Sequence, residues 1–304
     1  DLCADGPTTL DIVGTALAGQ PCAASVGPGQ AVRIMTGARL PAGVDTVVMQ
    51  EVAHAEGGRV TLAPGQRAGH NIRRAGEDLH AGQVALAAGR QIRPAELGLV
   101  ASLGISEVAV RRRLRVAFFS TGDEVVTLGS AARDGQIYDS NRYTLFGMLT
   151  RLGVDVIDIG VVRDDPDALE TTLREAASVA DVVITSGGVS VGDADFTRDM
   201  MARLGEVLFW KIAMKPGRPM AFGRIGRAGD SAWLFGLPGN PVATMVSFYQ
   251  FVQPALLRLA GVHPLPAQPM LQAPCTTPLR KAPGRTEFLR GVLSQESGAW
   301  QVRT

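Results

Sequence analysis

The residues best suited to chemistry lie in one stretch of the chain, DVVITSGGVSVGDADF, which covers residues 181–196. A β-branched run ends there at Ser186, and three glycines and two aspartates follow it. Glycine lets backbone N–H groups approach an anion closely, and the helix expected next adds donors and the positive end of its dipole. Two carboxylates in the same loop would repel a bare phosphate, so a divalent cation that bridges them to the ligand is the natural partner. The stretch therefore predicts a site for a magnesium-bound phosphoryl or oxyanion group.

This glycine loop fits neither G-x-x-x-x-G-K-[ST] nor G-x-G-x-x-G, so the common nucleotide-binding motifs do not apply. The alternative is a tight β-to-α turn with a capping aspartate, but one cap needs only one Asp and one Gly. Glu124, at the end of an earlier strand, is a further expected magnesium ligand. Within the loop we assign phosphate binding to Ser186, Gly187, Gly188, Ser190 and Gly192. We assign metal binding to Asp193 and Asp195.

Lysine is rare in this chain, and two of its three lysines, Lys211 and Lys215, lie four residues apart. On a strand these two side chains share one face, while Ile212 and Met214 point into the core. Two ammonium groups beside a phosphate loop suit a substrate with several negative oxygens, and Arg218 follows on the same ribbon. The alternative is an edge strand that its lysines protect from aggregation.

The composition limits the class of protein. A chain of 304 residues that is 46% hydrophobic and 19% charged predicts a soluble globular protein of two or three domains. A formal net charge of +1 argues against nucleic acid or a membrane as a partner. Three scattered cysteines without C-x-x-C argue against a disulfide framework and a zinc site. No leader or long apolar segment is evident, so we expect a cytoplasmic protein, trimmed at both ends.

Strands and helices alternate between residues 114 and 262, which predicts a doubly wound, mostly parallel α/β domain. Residues 1–78 predict a β-rich domain, with a strand over 46–52 and a hairpin turn at Gly57 and Gly58.

Residues 79–113 predict a connector with one helix that begins at Pro94, between strands over 84–86 and 107–110. Residues 263–304 predict the start of a truncated C-terminal β domain. Ligands of such α/β sheets bind beyond the carboxyl ends of the strands. We therefore expect one rim to gather the polar loops at residues 123–124, 164–165, 193–195 and 238–241.

Several motifs follow one another along the chain in the order STGDE, GQIYDSN, RDDPDAL, TSGGVSVGDADF, KIAMKPGRPMAF and GLPGNPVA. With RIMTGA and NIRRAGED in the β-rich part, they make the chain resemble, essentially from end to end, the molybdopterin molybdotransferase family of molybdenum-cofactor biosynthesis. The E-domain of gephyrin belongs to the same family. RIMTGA and NIRRAGED would otherwise be ordinary turn chemistry.

The resemblance implies a magnesium-dependent reaction in which adenylylated molybdopterin (molybdopterin-AMP) and molybdate give molybdenum cofactor and AMP. It also implies a homodimer whose site is shared between one subunit's α/β domain and the partner's β-rich domain. The adenylyltransferase of the same pathway and apo-molybdoenzymes are further expected partners. By motif, the implied catalytic residues are Thr36, Asp78, Glu124, Asp164, Asp195, Lys211 and Lys215. The implied substrate-binding residues outside the glycine loop are Thr121, Arg218, Pro238, Gly239, Asn240 and Pro241.

Two other functions fit part of the pattern. A molybdopterin adenylyltransferase would share the α/β module, but roughly 110 residues precede that module here. A gephyrin-like scaffold that binds receptor peptides would share the fold, but a scaffold without catalysis has no need of Asp195 and Lys215. Their presence favours an enzyme.

Overall fold

The computed structural model describes residue 2 and residues 5–188, 202–227 and 230–304. The chain forms two compact units, Asp1–Ala85 and Leu86–Thr304. The finer division at residues 78, 113 and 262 stays a prediction. Among the described residues, no helix is both long and apolar enough to cross a bilayer.

The first unit contains a four-stranded sheet in the order β2-β1-β4-β3. Its strands are β1 (Thr8–Ala16), β2 (Gln30–Ile34), β3 (Ala53–Glu56) and β4 (Arg59–Leu62). Strand β1 pairs in parallel with β2 and antiparallel with β4. Gly57 and Gly58 join β3 to β4 with φ values of 57° and 80°. Positive φ at both turn residues is the geometry of a two-residue hairpin loop, so the predicted hairpin is confirmed.

The predicted strand over residues 46–52 is wrong. That segment is irregular and ends in a 3₁₀ turn, Gln50–Val52. The backbone of Val47 forms hydrogen bonds with a loop and not with a strand. Its N–H donates to the His70 carbonyl at 3.0 Å, and its carbonyl accepts from Asn71 Nδ2 at 2.9 Å. An alternating pattern specifies a strand only where a neighbouring strand is present to pair with it.

The second unit is organised around a six-stranded sheet in the order β10-β12-β13-β9-β5-β8. The strands of this sheet are β5 (Arg115–Thr121), β8 (Asp155–Val162), β9 (Val182–Ser186), β10 (Gly205–Lys211), β12 (Pro219–Arg227) and β13 (Asp230–Leu237). Strands β13, β9, β5 and β8 are parallel. Strands β12 and β10 extend the sheet through antiparallel pairings. The smaller strands are β6 (Val125–Val126), β7 (Ile137–Tyr138), β11 (Met214–Lys215), β14 (Thr286–Glu287), β15 (Val292–Glu296) and β16 (Ala299–Arg303).

Helices cover both faces of this sheet. The described helices are α1 (Pro94–Ser102), α2 (Ser140–Leu152), α3 (Pro166–Val179), α4 (Pro241–Ser247) and α5 (Gln253–Leu259), with a π-helical turn, Phe248–Val252, between the last two. On one face Leu169 and Leu173 of α3 pack with Val183. On the other face Leu145 of α2 and Phe248 pack in a second apolar cluster. The doubly wound α/β arrangement of the described residues therefore agrees with the prediction.

In the connector, the helix beginning at Pro94 is confirmed, but the strands predicted over 84–86 and 107–110 are wrong. Every residue from 106 to 113 is exposed, and the described backbone there forms no ladder with another strand. Alternating apolar residues without a partner edge do not make a strand.

An ion pair fixes the start of β9. Both carboxylate oxygens of Asp181 accept from the Arg112 guanidinium at 2.7 Å, and Oδ2 also accepts from the Arg115 backbone N–H at 2.8 Å. Hydrogen bonding by Arg112 lowers the pKa of Asp181 to about 2, against an ordinary value of 3.8. Because the pKa of Asp181 is lower in the folded state than in the unfolded state, its ionised carboxylate stabilises the fold at pH values above the unfolded-state pKa. This stabilisation is lost as the pH falls through the folded-state pKa.

We expect Asp181→Asn to lower the free energy of unfolding by about 2 kcal/mol at neutral pH. The difference from the unsubstituted protein should shrink as the pH falls from about 4 toward about 2. Urea unfolding at a series of pH values measures it. Asp134→Asn, at an exposed loop carboxylate, is the control. Equal losses of stability in the two variants at neutral pH would contradict the stabilising role of the Asp181–Arg112 ion pair.

Candidate active site

The carboxyl ends of the parallel strands form one rim of the sheet. The chain leaves β5 for β8 through α2 on one face and returns to β9 through α3 on the other. Strands β5 and β9 are adjacent, so the direction of winding changes between them. Such a switch point is where ligands of open α/β sheets bind. Thr121 and Ser186, the last residues of these two strands, therefore flank the candidate site.

The glycines of the loop after β9 allow close packing against β5. A Cβ atom on Gly187, which has φ +92°, would lie 2.2 Å from the Thr121 carbonyl oxygen. A Cβ atom on Gly188 would lie 2.9 Å from Thr121 Cγ2. On the other side, Gly239 lies next to Gly187, because a Cβ atom on Gly239 would be in van der Waals contact with the Gly187 Cα at 3.7 Å. Three loops thus converge at the switch point.

One expected phosphate donor has another partner. The Gly187 N–H donates to the Leu237 carbonyl at 3.1 Å. In this structure the donor is used inside the sheet, and phosphate binding at Gly187 stays a prediction. What the structure shows of Gly187 is its close approach to Thr121.

The start of α2 contributes a polar cluster to the same place. Asp139 caps the helix, because its Oδ1 accepts from the Arg142 N–H at 3.0 Å and also from Ser120 Oγ at 3.1 Å. In the first turn, Asn141 Nδ2 donates to Ser186 Oγ at 2.8 Å and to the Gly239 carbonyl at 2.7 Å. The amide of Asn141 thus contacts two of the converging loops.

Three buried polar atoms of this cluster have no hydrogen-bond partner among the described residues: Thr121 Oγ1, Asp139 Oδ2 and Asn141 Oδ1. Thr121 is 5% exposed, Asp139 4% and Asn141 9%. Native proteins pair most buried polar atoms, because an unpaired one loses the free energy of its hydration. Three unpaired atoms beside the ends of β5 and β9 mark a candidate place for a polar ligand.

The lysines do not lie on one continuous strand, which corrects that part of the prediction. Lys211 ends β10 in the main sheet, whereas Lys215 lies in β11, which pairs with β14 in a separate two-stranded sheet. Between them the Met214 N–H bonds back to the Ile212 carbonyl at 2.8 Å. The predicted difference in burial between the side chains nevertheless agrees with the structure, because both lysines are exposed and Met214 is buried.

A cavity of about 380 Å³ lies beside Lys215. Lys215, Asn240, Glu287 and Arg290 are among the residues that line it. Strand β14 brings this C-terminal segment into place, because the Phe288 N–H donates to the Lys215 carbonyl at 2.8 Å. The side chains of its lining residues include two cations, Lys215 and Arg290, and one carboxylate, Glu287, and this balance favours an anion.

The acidic candidates are spread along the rim. Glu124 is exposed just beyond β5, and a Cβ on Gly122 would lie 2.7 Å from its Oε2. Asp164 follows β8 and is exposed, while the neighbouring Asp165 caps α3 by accepting from the Ala168 N–H at 3.0 Å. Five interstrand spacings separate the end of β8 from the end of β10, which is roughly 24 Å. Only an extended substrate can contact both ends of this rim.

The remaining predicted site residues are less constrained by the structure. Ser190, Gly192, Asp193 and Asp195 lie outside the described residues. Within the described residues, no group of three or more His, Cys, Asp or Glu side chains could hold a metal ion.

In the first unit, Thr36 is exposed in a turn after β2, and Asp78 accepts from the Arg73 guanidinium at 2.6 Å. Arg218 is exposed, and its carbonyl accepts from the Ile212 N–H at 2.8 Å. Of the last loop, Pro238 is buried, and Pro241 is the first residue of α4.

Sequence reasoning did not assign roles to Asp139, Asn141 and Arg290. The first two belong to GQIYDSN, where a single capping residue would have sufficed for the helix. The surplus of polar residues at that helix start was the available signal. Arg290 is more than seventy residues from Lys215 along the chain, so local pattern gave no indication that the two line one cavity.

Comparison with known proteins defines the class. Residues 117–258 match the sequence profile described as "Probable molybdopterin binding domain". Residues 3–104 match that of the MoeA N-terminal region (domain I and II). The chain therefore combines a domain of this α/β type with a stretch that matches the N-terminal region of MoeA proteins.

Individual relatives give the same result. A molybdopterin molybdenumtransferase of Haemophilus influenzae is 47% identical over 298 residues, which cover 97% of this chain and 73% of the relative. One of Nostoc is 41% identical over 85% of this chain and 59% of the relative. The crystal structure of the molybdopterin biosynthesis MoeA protein of Pyrococcus horikoshii OT3 matches with a TM-score of 0.75 at 27% identity, over 99% of this chain and 73% of that one. The chain belongs to the molybdopterin molybdenumtransferase family.

Proposed function

We propose that this protein is an enzyme of molybdenum cofactor biosynthesis that transfers molybdenum from molybdate to molybdopterin. Its substrates are adenylylated molybdopterin and molybdate, and AMP is released. The observation that carries the proposal is 47% identity over nearly the whole chain to a relative named for this transfer. The rim supports it, because an adenylylated pterin is long enough to extend along the roughly 24 Å between β8 and β10.

The switch point between β5 and β9 is suited to the phosphoanhydride. The donors that we propose for its oxygens begin at Gly188, since the Gly187 N–H bonds to Leu237. The unpartnered Thr121 Oγ1 is a further donor at this point. Hydrogen-bond donors fixed before the substrate arrives stabilise the charge that develops on cleavage without having to reorganise.

The cavity beside Lys215 is suited to molybdate. Lys215 and Arg290 there supply positive charge, and Asn240 supplies an amide. Lys211, at the end of β10, adds a third cation to the same rim. Ammonium groups act as point charges that neutralise a dianion and the charge that accumulates during transfer.

We propose magnesium as the cofactor of this site. Glu124 extends from the loop after β5 with its carboxylate against Gly122, and carboxylate oxygen is the ligand type that Mg²⁺ prefers. We propose Glu124, Asp193 and Asp195 as the residues that would hold the ion, and Asp164 as a further acidic residue of the site. When bound, magnesium would supply positive charge against the phosphate oxygens.

Assembly and location are part of the same proposal. A homodimer in which Thr36 and Asp78 reach the partner's α/β domain would explain why turn segments of the β-rich part carry motif residues. We place the protein in the cytoplasm, where the adenylyltransferase and apo-molybdoenzymes would be its partners. A stand-alone adenylyltransferase is not favoured, because residues 3–104 match the MoeA N-terminal region. Nothing observed favours a gephyrin-like scaffold.

The test is AMP release from adenylylated molybdopterin by the purified protein, with molybdate and Mg²⁺ each present or omitted. We expect AMP only when both are present. Binding of the adenylylated compound without cleavage under every condition would contradict the proposed reaction and leave a binding protein.

A further inference from the structure

The side-chain amide of Asn141 connects two loops that lie far apart in sequence. Its Nδ2 donates to Ser186 Oγ at 2.8 Å, at the start of the glycine loop, and to the Gly239 carbonyl at 2.7 Å, in the loop after β13. A carbonyl oxygen can only accept, so the amide nitrogen must face Gly239. Both donor positions of the amide are therefore used between the loops.

Each of these loops continues into a different part of the proposed site. Ser186 precedes Gly187 and Gly188, which pack on Thr121 at the switch point. Gly239 precedes Asn240, which lines the 380 Å³ cavity. Asn141 is therefore the link between the crevice suited to phosphate and the cavity suited to an oxyanion.

The fold of α2 does not depend on this amide. Asp139 already caps the helix, and Leu145 and Leu149 anchor it in the core. Arg142 also ties its first turn to Asp158 of β8, with Nε to Oδ1 at 2.8 Å. Asn141 nevertheless lies 9% exposed with Oδ1 unpartnered, an arrangement that a purely structural residue would avoid.

We infer that Asn141 is a positioning residue that fixes the glycine loop and the Pro238–Pro241 loop at the separation required for transfer between the two bound groups. This inference rests on the proposed function and deepens it. Asn141 acts through the loops and not on the reacting atoms. Misplacement of reacting groups by about 1 Å costs on the order of 100-fold in rate.

The test compares Asn141→Ala with Thr150→Ala, which removes a hydrogen bond from an exposed position of the same helix. We expect kcat for AMP release to fall about 100-fold in Asn141→Ala. The Kd of AMP alone and that of molybdate alone should stay within about threefold of the unsubstituted values, since each ligand contacts one loop. Thr150→Ala should leave all three quantities unchanged.

Ser186→Ala removes the hydrogen bond to Ser186 while the bond to Gly239 remains, so we expect an intermediate fall in kcat with the Kd of AMP alone within about threefold. A loss in that affinity as large as the loss in kcat would assign Ser186 to phosphate binding and contradict the positioning role. This variant also keeps the test open if Asn141→Ala does not fold. A kcat within threefold of the unsubstituted value in Asn141→Ala would overturn the inference, as would losses in both single-ligand affinities as large as the loss in kcat. If the unsubstituted protein itself releases no AMP, the proposed function fails and the inference fails with it, whereas AMP release by the unsubstituted protein with an unchanged kcat in Asn141→Ala overturns the inference alone.

Discussion

A single methyl group at Gly187 is expected to cause a large loss of activity. Gly187→Ala would place a Cβ atom 2.2 Å from the Thr121 carbonyl oxygen, at a backbone φ of +92°. Backbone cannot yield as the end of a flexible side chain would, so the end of β5 or the glycine loop must shift. We expect AMP release to fall at least about 100-fold and the free energy of unfolding to drop by more than about 2 kcal/mol. Urea unfolding and the AMP assay measure the two effects.

Gly153→Ala provides the matched control for this substitution. Gly153 ends α2 with φ +78°, but among the described residues, its own chain neighbours aside, a Cβ atom there would meet no atom within 4 Å. It therefore has the cost of positive φ, about 1 to 2 kcal/mol, without the collision. If Gly187→Ala and Gly153→Ala retained equal activity, the packing of the glycine loop on Thr121 would not be what shapes the site.

Removal of the Lys215 ammonium group is expected to have a comparable effect on catalysis with little effect on folding. Lys215 is exposed at the wall of the 380 Å³ cavity, so Lys215→Ala leaves the core intact. Loss of a positioned charge that acts on the transferring group costs about 100- to 1000-fold in kcat. We therefore expect kcat for AMP release to fall by this factor, while the free energy of unfolding stays within about 0.5 kcal/mol of the unsubstituted value.

The third lysine of the chain, Lys281, supplies the control, because it is exposed and its Nζ contacts only the Ala282 carbonyl, at 3.5 Å, among the described residues. Lys281→Ala should retain full activity. Lys215→Arg keeps the charge but changes its geometry, so partial activity is expected. Full activity in Lys215→Ala would show that the cavity beside it does not hold the anion.

The central sheet was predictable from sequence because its signals are local. The buried runs that became β5 and β9 are continuous and β-branched or aromatic, and Pro166 marks the first turn of α3. Parallel strands buried on both faces need such runs, whatever their neighbours are. The segments 46–52 and 107–110 show the opposite case. Their alternation satisfied the pattern for a strand, but pairing depends on a partner edge that the local sequence does not encode.

The site was predictable only in part, for the same reason. Ser186 and the glycines after it stood out because several special residues share one loop. Asn141 did not, since its importance comes from simultaneous bonds to Ser186 and to Gly239, ninety-eight positions further along the chain. Likewise, Arg290 joins Lys215 only because β14 pairs with β11. Contacts between distant segments follow from the fold and not from spacing.

The most direct test of the account is the balance between molybdenum incorporated into molybdopterin and AMP released. Adenylylated molybdopterin, molybdate and Mg²⁺ are incubated with the protein, and both products are quantified from the same sample. The account predicts that they appear in equal amounts and that omission of molybdate stops both. AMP formed without incorporation of molybdenum would identify a hydrolase instead of a transferase and contradict the account.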